Sequence, residues 1–214
     1  MRVRVWGGAV LLVAGVLLTW GSHFVAGQVH DQLGMQGITM PTSLDGLPAA
    51  DAAALQPFAG QPMTKGPQAA AYANHYILVH MNEGTDTLFK TLQGLGIDTT
   101  PWQAKAPLTY ASVSSVGTDI TNNASLTDDQ KTQGTAAVTS LKNTLFQGNT
   151  LRGMLLFGYA FATIGTIAGI ASIFAWIGAA VMLILTVLGF WHASRQQKSG
   201  APAIESTVPN PANA

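Results

Sequence analysis

The sequence contains no cysteine. That excludes disulfides, thiolate metal sites, iron–sulfur clusters, lipoprotein acylation and covalent haem attachment. It leaves the compartment open. Charge is scarce too: 9% of residues are Asp, Glu, Lys or Arg, against about 25% in a soluble domain. The net charge is zero and no basic run occurs, which argues against nucleic acid as a partner. No GxSxG frames a nucleophilic serine. No phosphate loop or dinucleotide fingerprint occurs. What is present is 48% hydrophobic residues, which with so little charge points to a membrane protein with a modest polar part.

The hydrophobic residues are concentrated in two stretches. "MLLFGYAFATIGTIAGIASIFAWIGAAVMLILTVLGFWHAS", Met154 to Ser194, lies between Arg152 and Arg195 without a fixed charge. It is about twice the roughly 20 residues that cross a bilayer. "VWGGAVLLVAGVLLTWGSHFVAG", Val5 to Gly27, follows Arg2 and Arg4. A cleaved signal peptide and a retained signal anchor are both open here, and "VAG" at 25–27 offers a weak cleavage site. The stretch exceeds a signal core of roughly 7–15 residues, and Trp6 and Trp20 suit two membrane interfaces, so the anchor is favoured.

Positive residues near short cytoplasmic ends set orientation. Arg2 and Arg4 precede the first span, and Arg195 and Lys198 follow the last. Both termini are therefore expected in the cytoplasm, which requires an even number of crossings. The first span supplies one, so the long run must supply one. A hairpin would need a turn within "SIFAWIG", which has no Pro, Asn or Asp and no Gly pair. A lipid-exposed turn would also leave peptide groups unsatisfied. One helix over 150–194 would be about 65 Å long, against a hydrocarbon core of about 30 Å. Its C-terminal half is expected to span the membrane. Its N-terminal half, with Tyr, Thr and Gly, is expected to rise out and be shielded by the polar domain. Residues 172–178 remain the only place where two crossings would divide.

Small residues recur in both stretches. Gly8, Gly15 and Ser22 are spaced by seven, as are Gly158, Gly165, Ser172 and Ala179, with Gly169 completing a G-x-x-x-G after Gly165. Such spacing lets helices approach closely, so a seam between the two helices is expected to use these positions.

The polar part, 28–152, has six Lys or Arg against nine Asp or Glu, a net charge of −3. Pro67 after Gly66 reads as a helix start and Gly84 as its stop. Ala69, Tyr72, Ala73, Tyr76, Ile77 and His80 share one face. A second helix follows Thr127, which with Gln130 matches a capping box, while Asp128 and Asp129 favour its positive end. Val138, Leu141 and Leu145 form its stripe. "QGN" at 147–149 reads as a break before the long run. Residues 30–66 and 93–125 read as irregular, with Trp102 and Tyr110 as packing anchors and as the residues presented to a partner. Little or no sheet is expected. Such a loop-rich domain is a poor independent core, so it is expected to pack on its own spans or on another subunit.

His75, His80 and Glu83 offer the two-histidine, one-carboxylate set of non-haem iron. Residues five apart on a helix diverge by about 140°, so His75 and His80 point apart, while His80 and Glu83 can meet. His23 and His30 are the only further histidines near the outer interface. Neither apolar stretch holds Asp, Glu, Lys or Arg, the usual marks of transport or proton relay. No catalytic, cofactor-binding or metal residues are assigned, and no cofactor is implied.

"DQLGMQGITMP", "GPQAAAYANHYILVHM" and "FQGNTLRGMLLFGYAF" resemble a mycobacterial-type actinobacterial family of two-span membrane proteins. Most members have no assigned activity, and some carry the label of aromatic ring-opening dioxygenase. The wider group is similar to accessory proteins of the cytochrome bcc–cytochrome oxidase supercomplex. The resemblance covers most of residues 1–195 and carries no catalytic motif. It departs after His80, where "MNEGTDTLFK" replaces a Gly-rich "GGKTY"-like turn.

The expectation is an all-α membrane protein. Residues 1–4 form a cytoplasmic N-terminus, 5–27 an anchor helix and 28–152 a loop-rich extracytoplasmic domain. Residues 153–194 form a long helix packed antiparallel to the anchor, and 195–214 a disordered cytoplasmic tail. The expected function is that of a non-enzymatic accessory or interaction protein in the plasma membrane of an actinobacterial envelope. Its partners are the bilayer and a membrane protein, a respiratory complex on the resemblance, or a second copy. The alternatives are an envelope metalloprotein using His75, His80 and Glu83, and a homo-oligomeric scaffold joined through the glycine seam.

Overall fold

The computed structural model describes residues 2–199, with side chains from 6 to 195. The regular structure of the described residues is all helical, with no strand; one isolated antiparallel bridge joins Thr39 and Pro62. The helices are α1 (Arg2–Met35), α2 (Ala49–Leu55), α3 (Gly66–Tyr72), α4 (Leu78–Gly94), α5 (Thr100–Gln103), α6 (Tyr110–Asn122) and α7 (Asp128–Ser199). A 3₁₀ turn, Gln56–Phe58, follows α2, and a π turn, Ala73–Ile77, joins α3 to α4. The residues form two compact units. One combines the described residues up to Ser22 with those from Ile167 to Ser199, and the other is His23–Thr166.

The whole apolar run from Met154 to Ser194 lies within α7, without a turn. α1 and α7 are both long and apolar enough to cross a membrane. Their bounds differ from the expected ones. α1 runs past 27 to Met35, and α7 begins at Asp128 and continues through 195–199. The tail expected from 195 is thus helical as far as Ser199, and 200–214 lie outside the described residues.

Two glycines read as helix breaks are instead points where helices meet. α4 passes straight through Gly84, where a Cβ would lie 2.9 Å from Leu141 of α7. α7 passes straight through Gly148, where a Cβ would lie 2.5 Å from the sulfur of Met81 on α4. A glycine inside a helix costs only about 1 kcal/mol, which close helix contact offsets. The stop of α4 lies further on, at Gly96, with φ +76°. Ile97 N–H donates to the Leu92 carbonyl at 2.9 Å and Gly96 N–H to that of Gln93 at 2.9 Å. That is a Schellman ending, which favours glycine because of the left-handed backbone.

α6 lies in the segment read as irregular. Thr109 and Ser112 cap it reciprocally: Ser112 N–H donates to Thr109 Oγ1 at 3.1 Å, and Thr109 N–H to Ser112 Oγ at 2.8 Å. Its stripe is Val113, Val116 and Ile120, all buried. The expected capping box of α7 is present, with Gln130 N–H donating to Thr127 Oγ1 at 3.2 Å and Thr127 N–H to Gln130 Oε1 at 2.9 Å. Gln130 also donates to the Leu95 carbonyl at 2.8 Å, tying the start of α7 to the end of α4.

The core of the 23–166 unit draws on every helix that enters it. Leu55, Leu92, Val113, Ile120, Val138 and Leu141 are buried with Val29 and Leu33 of α1 and Leu155 of α7. The polar segment therefore does not close a core alone: the long helices supply part of it.

Candidate functional site

In the unit built from the two ends of the chain, α1 and α7 meet along small residues. A Cβ on Gly8 would lie 3.4 Å from Met182 Cβ, one on Gly15 3.2 Å from the Trp176 ring, and one on Gly169 2.9 Å from Ser22 Oγ. Trp176 Nε1–H donates to Thr19 Oγ1 at 3.1 Å, and Thr19 Oγ1–H to the Gly15 carbonyl at 2.7 Å. Ser172 is buried and donates to the Gly169 carbonyl at 2.7 Å. Gly165, also buried, belongs to the 23–166 unit. Gly158 belongs to that unit too, where Leu33 lies 3.4 Å from its Cβ position. Sequence spacing missed the larger partners of this seam, Leu11, Trp176 and Met182.

In the 23–166 unit, polar side chains gather around the π turn. Leu78 N–H donates to the Ala73 carbonyl, the five-residue step of a π turn. Such turns are often found at functional sites. Arg152 of α7 reaches the same point: its Nε–H donates to the Ala73 carbonyl at 2.9 Å and its Nη2 to Asn74 Oδ1 at 3.1 Å. Hydrogen bonds from a charged donor contribute about 1.5–3 kcal/mol. Arg152→Met should therefore destabilise this unit by about 2 kcal/mol, read by thermal unfolding in mild detergent. Arg152→Lys should recover little, because an ammonium cannot reproduce the two-pronged geometry.

His75 lies on the π turn and pairs with Asp51 of α2, Nδ1 to Oδ1 2.8 Å. His80 points elsewhere: its Nδ1 donates to the Tyr76 carbonyl at 2.8 Å, and its ring tilts against Tyr76 with centroids 4.4 Å apart. His80 and Glu83 line one cavity of about 440 Å³, from which His75 is absent. The three thus do not converge, and the described residues contain no group of three or more His, Cys, Asp or Glu able to hold a metal ion. His30 pairs with its neighbour Asp31 at 3.3 Å.

Tyr72 stacks on Tyr76 with centroids 4.9 Å apart. Burial, and secondarily the charge of Tyr76, push the Tyr72 phenol above the ordinary tyrosine range. A phenol whose folded pKa exceeds its unfolded value stabilises the fold fully below about pH 10 and loses that contribution as pH rises through the folded value. Thermal unfolding above pH 10 should therefore be less steeply pH-dependent in Tyr72→Phe than in the wild type.

Trp102, expected to face a partner, is a core residue: it is 5% exposed and its Nε1–H donates to Asp119 Oδ2 at 2.8 Å. An indole satisfied by a carboxylate on α6 is available for packing but not for docking. Tyr110 is exposed, lying against Phe146 with centroids 6.0 Å apart and under the Lys142 ammonium at 5.5 Å.

No protein-family model, curated protein or solved structure matches this chain.

Proposed function

We propose that the chain is a non-enzymatic, membrane-anchored accessory protein of a cell envelope. In this reading, α1 and the C-terminal part of α7 cross the plasma membrane as an antiparallel pair. Both termini are cytoplasmic and residues 28–152 are extracytoplasmic. The observation that carries it is the pair of long apolar helices with bare apolar flanks. Val10, Val13 and Leu17 on α1 and Ile173, Ile177, Leu183 and Val187 on α7 are all exposed. In water each such residue forgoes roughly 1.5–3 kcal/mol; in lipid it does not.

Other features support the details. The contacts Gly8–Met182, Gly15–Trp176 and Ser22–Gly169 run in opposite directions along the two segments, as an antiparallel pair requires. Arg195 lies 3.9 Å from the Trp191 ring centroid, a pairing suited to an inner interface. Gly8, Gly15 and Ser22, all upstream of the possible cleavage site at 25–27, pack against α7, which favours a retained anchor over a cleaved signal. The seam glycines are filled by side chains of the same chain, so the homo-oligomeric scaffold gains no support from them. The separated His75, His80 and Glu83 give none to a metalloenzyme.

The mechanism is docking: the paired helices hold the protein in a membrane assembly while the outer helical unit presents Tyr110, Phe146 and its neighbours. The sequence resemblance makes an actinobacterial respiratory complex the partner to test first. Solubilised in mild detergent from native membranes, the protein should migrate and co-purify with a stoichiometric membrane-protein partner. Recovery alone as a monomer would count against the reading.

A further inference from the structure

Five cavities among the described residues of the 23–166 unit differ in kind. Four are lined in part by charged residues, among them Glu83, Lys142, Asp51 and Arg152. The fifth, about 380 Å³, lies between α1 and α7 and has no charged lining residue. Val29, Leu33 and Gly158 line its apolar interior, and Met154 and Phe161, both exposed, flank it. Its lining is almost wholly apolar; the polar residues at its edge are Gln28 and Gln32, one turn apart on α1, and Gln36 just past the end of that helix.

The level of this groove is fixed by its neighbours. Exposed His30 and Asp31 lie on α1 among the lining residues. On α7, Gly66 packs against Tyr159 and Ala162, which alternate with the lining residues Gly158 and Phe161. The Gly66 turn carries exposed Lys65, and Gln68 Oε1 there accepts from the N–H groups of Thr64 and Lys65 at 2.9 Å each. Hydrated charge at this height excludes the hydrocarbon core. Yet the apolar lining continues along α7 into exposed Ile164, toward the span. A concave apolar site of a few hundred Å³ with a few polar groups on one side is the ordinary form of a small-molecule site.

We propose that this groove binds a neutral lipid. One hydrocarbon chain lies on Val29, Leu33 and Gly158, and an uncharged ester, carbonyl or hydroxyl head is held by Gln28, Gln32 and Gln36. Glutamine amides both donate and accept, which suits such heads. No cation lines the groove to compensate a phosphate, and Arg152 is engaged with Ala73 and Asn74. The inference rests on the membrane reading, since the ligand is drawn from the outer leaflet.

The test reconstitutes the full chain in phosphatidylcholine vesicles. These are doped with diacylglycerol or phosphatidylglycerol bearing the same photoactivatable acyl chain, and labelled peptides are mapped by mass spectrometry. The diacylglycerol probe should label residues 24–36 and 154–161 about fivefold more than the anionic probe does. Gln32→Lys should reverse that preference, and Gly158→Leu should abolish the enrichment. Labelling spread evenly over all exposed apolar positions, equal labelling by both probes, or crosslinking of the groove to a second copy would overturn the proposal while leaving the membrane reading intact. Failure of the protein to float with the vesicles would overturn both.

Discussion

Gly148→Leu should unfold the His23–Thr166 unit about 10 °C below the wild type. Gly148 lies near the end of the polar part of α7, where a Cβ would meet Met81 at both Sδ and Cγ, 2.5 and 2.7 Å away. Met81 is itself 6% exposed, so its side chain has little room to retreat. Overpacking of this kind costs about 1–3 kcal/mol, and the neighbours at stake include Leu145 and Leu141. Gly148→Ala should cost less, because a thioether is the most adaptable of core side chains. The double variant Gly148→Leu, Met81→Ala should recover much of the loss. Circular dichroism melts of the four proteins in one detergent decide the matter. Equal melting of Gly148→Leu and wild type would mean that α4 and α7 do not meet here.

Gly15→Leu should separate α1 from α7 at the Trp176 contact. A Cβ there lies 3.2–3.3 Å from three atoms of the indole, whose Nε1–H is held by Thr19 Oγ1 at 3.1 Å. Without a hydrophobic drive between helices in lipid, close packing is the main attraction, so losing one contact point has a large effect. The readout is a disulfide between Gly8→Cys and Met182→Cys. The Cβ–Cβ separation at that pair is 3.4 Å, close to the roughly 3.5–4.5 Å of a disulfide, and the chain has no native cysteine to interfere. Oxidation should crosslink the pair almost fully in an otherwise wild-type chain, and at least about tenfold more slowly in Gly15→Leu. Equal rates would contradict the seam.

Much of this architecture is legible in the sequence because it depends on local patterns. The apolar run without a turn residue becomes part of one helix, and Thr127 with Gln130 caps it as the spacing indicates. The small residues at seven-residue spacing include Gly8, Gly15 and Ser22, each of which touches the other long helix. What was not legible depends on partners distant in sequence. Gly84 and Gly148 resemble breaks until Leu141 and Met81 are known to sit over them. The helix α6 is masked by its Ser, Thr and Gly content, although Val113, Val116 and Ile120 keep helical spacing and Thr109 with Ser112 caps the start. Trp102 reads as a packing anchor, which its burial bears out, but also as a residue for a partner, because nothing local reveals that Asp119, a helix away, receives its indole N–H. The convergence of Arg152 on the π turn, across 79 positions, has no local sign at all.

The same division governs function. Two helices long and apolar enough to cross a membrane are written in composition and length, whereas the groove between α1 and α7 exists only once Leu33 is seen to meet Gly158. Its glutamines look, in sequence, like the ordinary polar face of a helix leaving a membrane.

The central claim is that α7 crosses the membrane once, leaving residues 28–152 outside and the end of α7 inside. Single cysteines placed by His30→Cys, Phe146→Cys and Ser199→Cys, in intact cells treated with a membrane-impermeant maleimide, test it directly. The account predicts labelling at 30 and 146 without permeabilisation and at 199 only after it. Labelling of 199 in intact cells, at a rate matching 30, would contradict a single crossing.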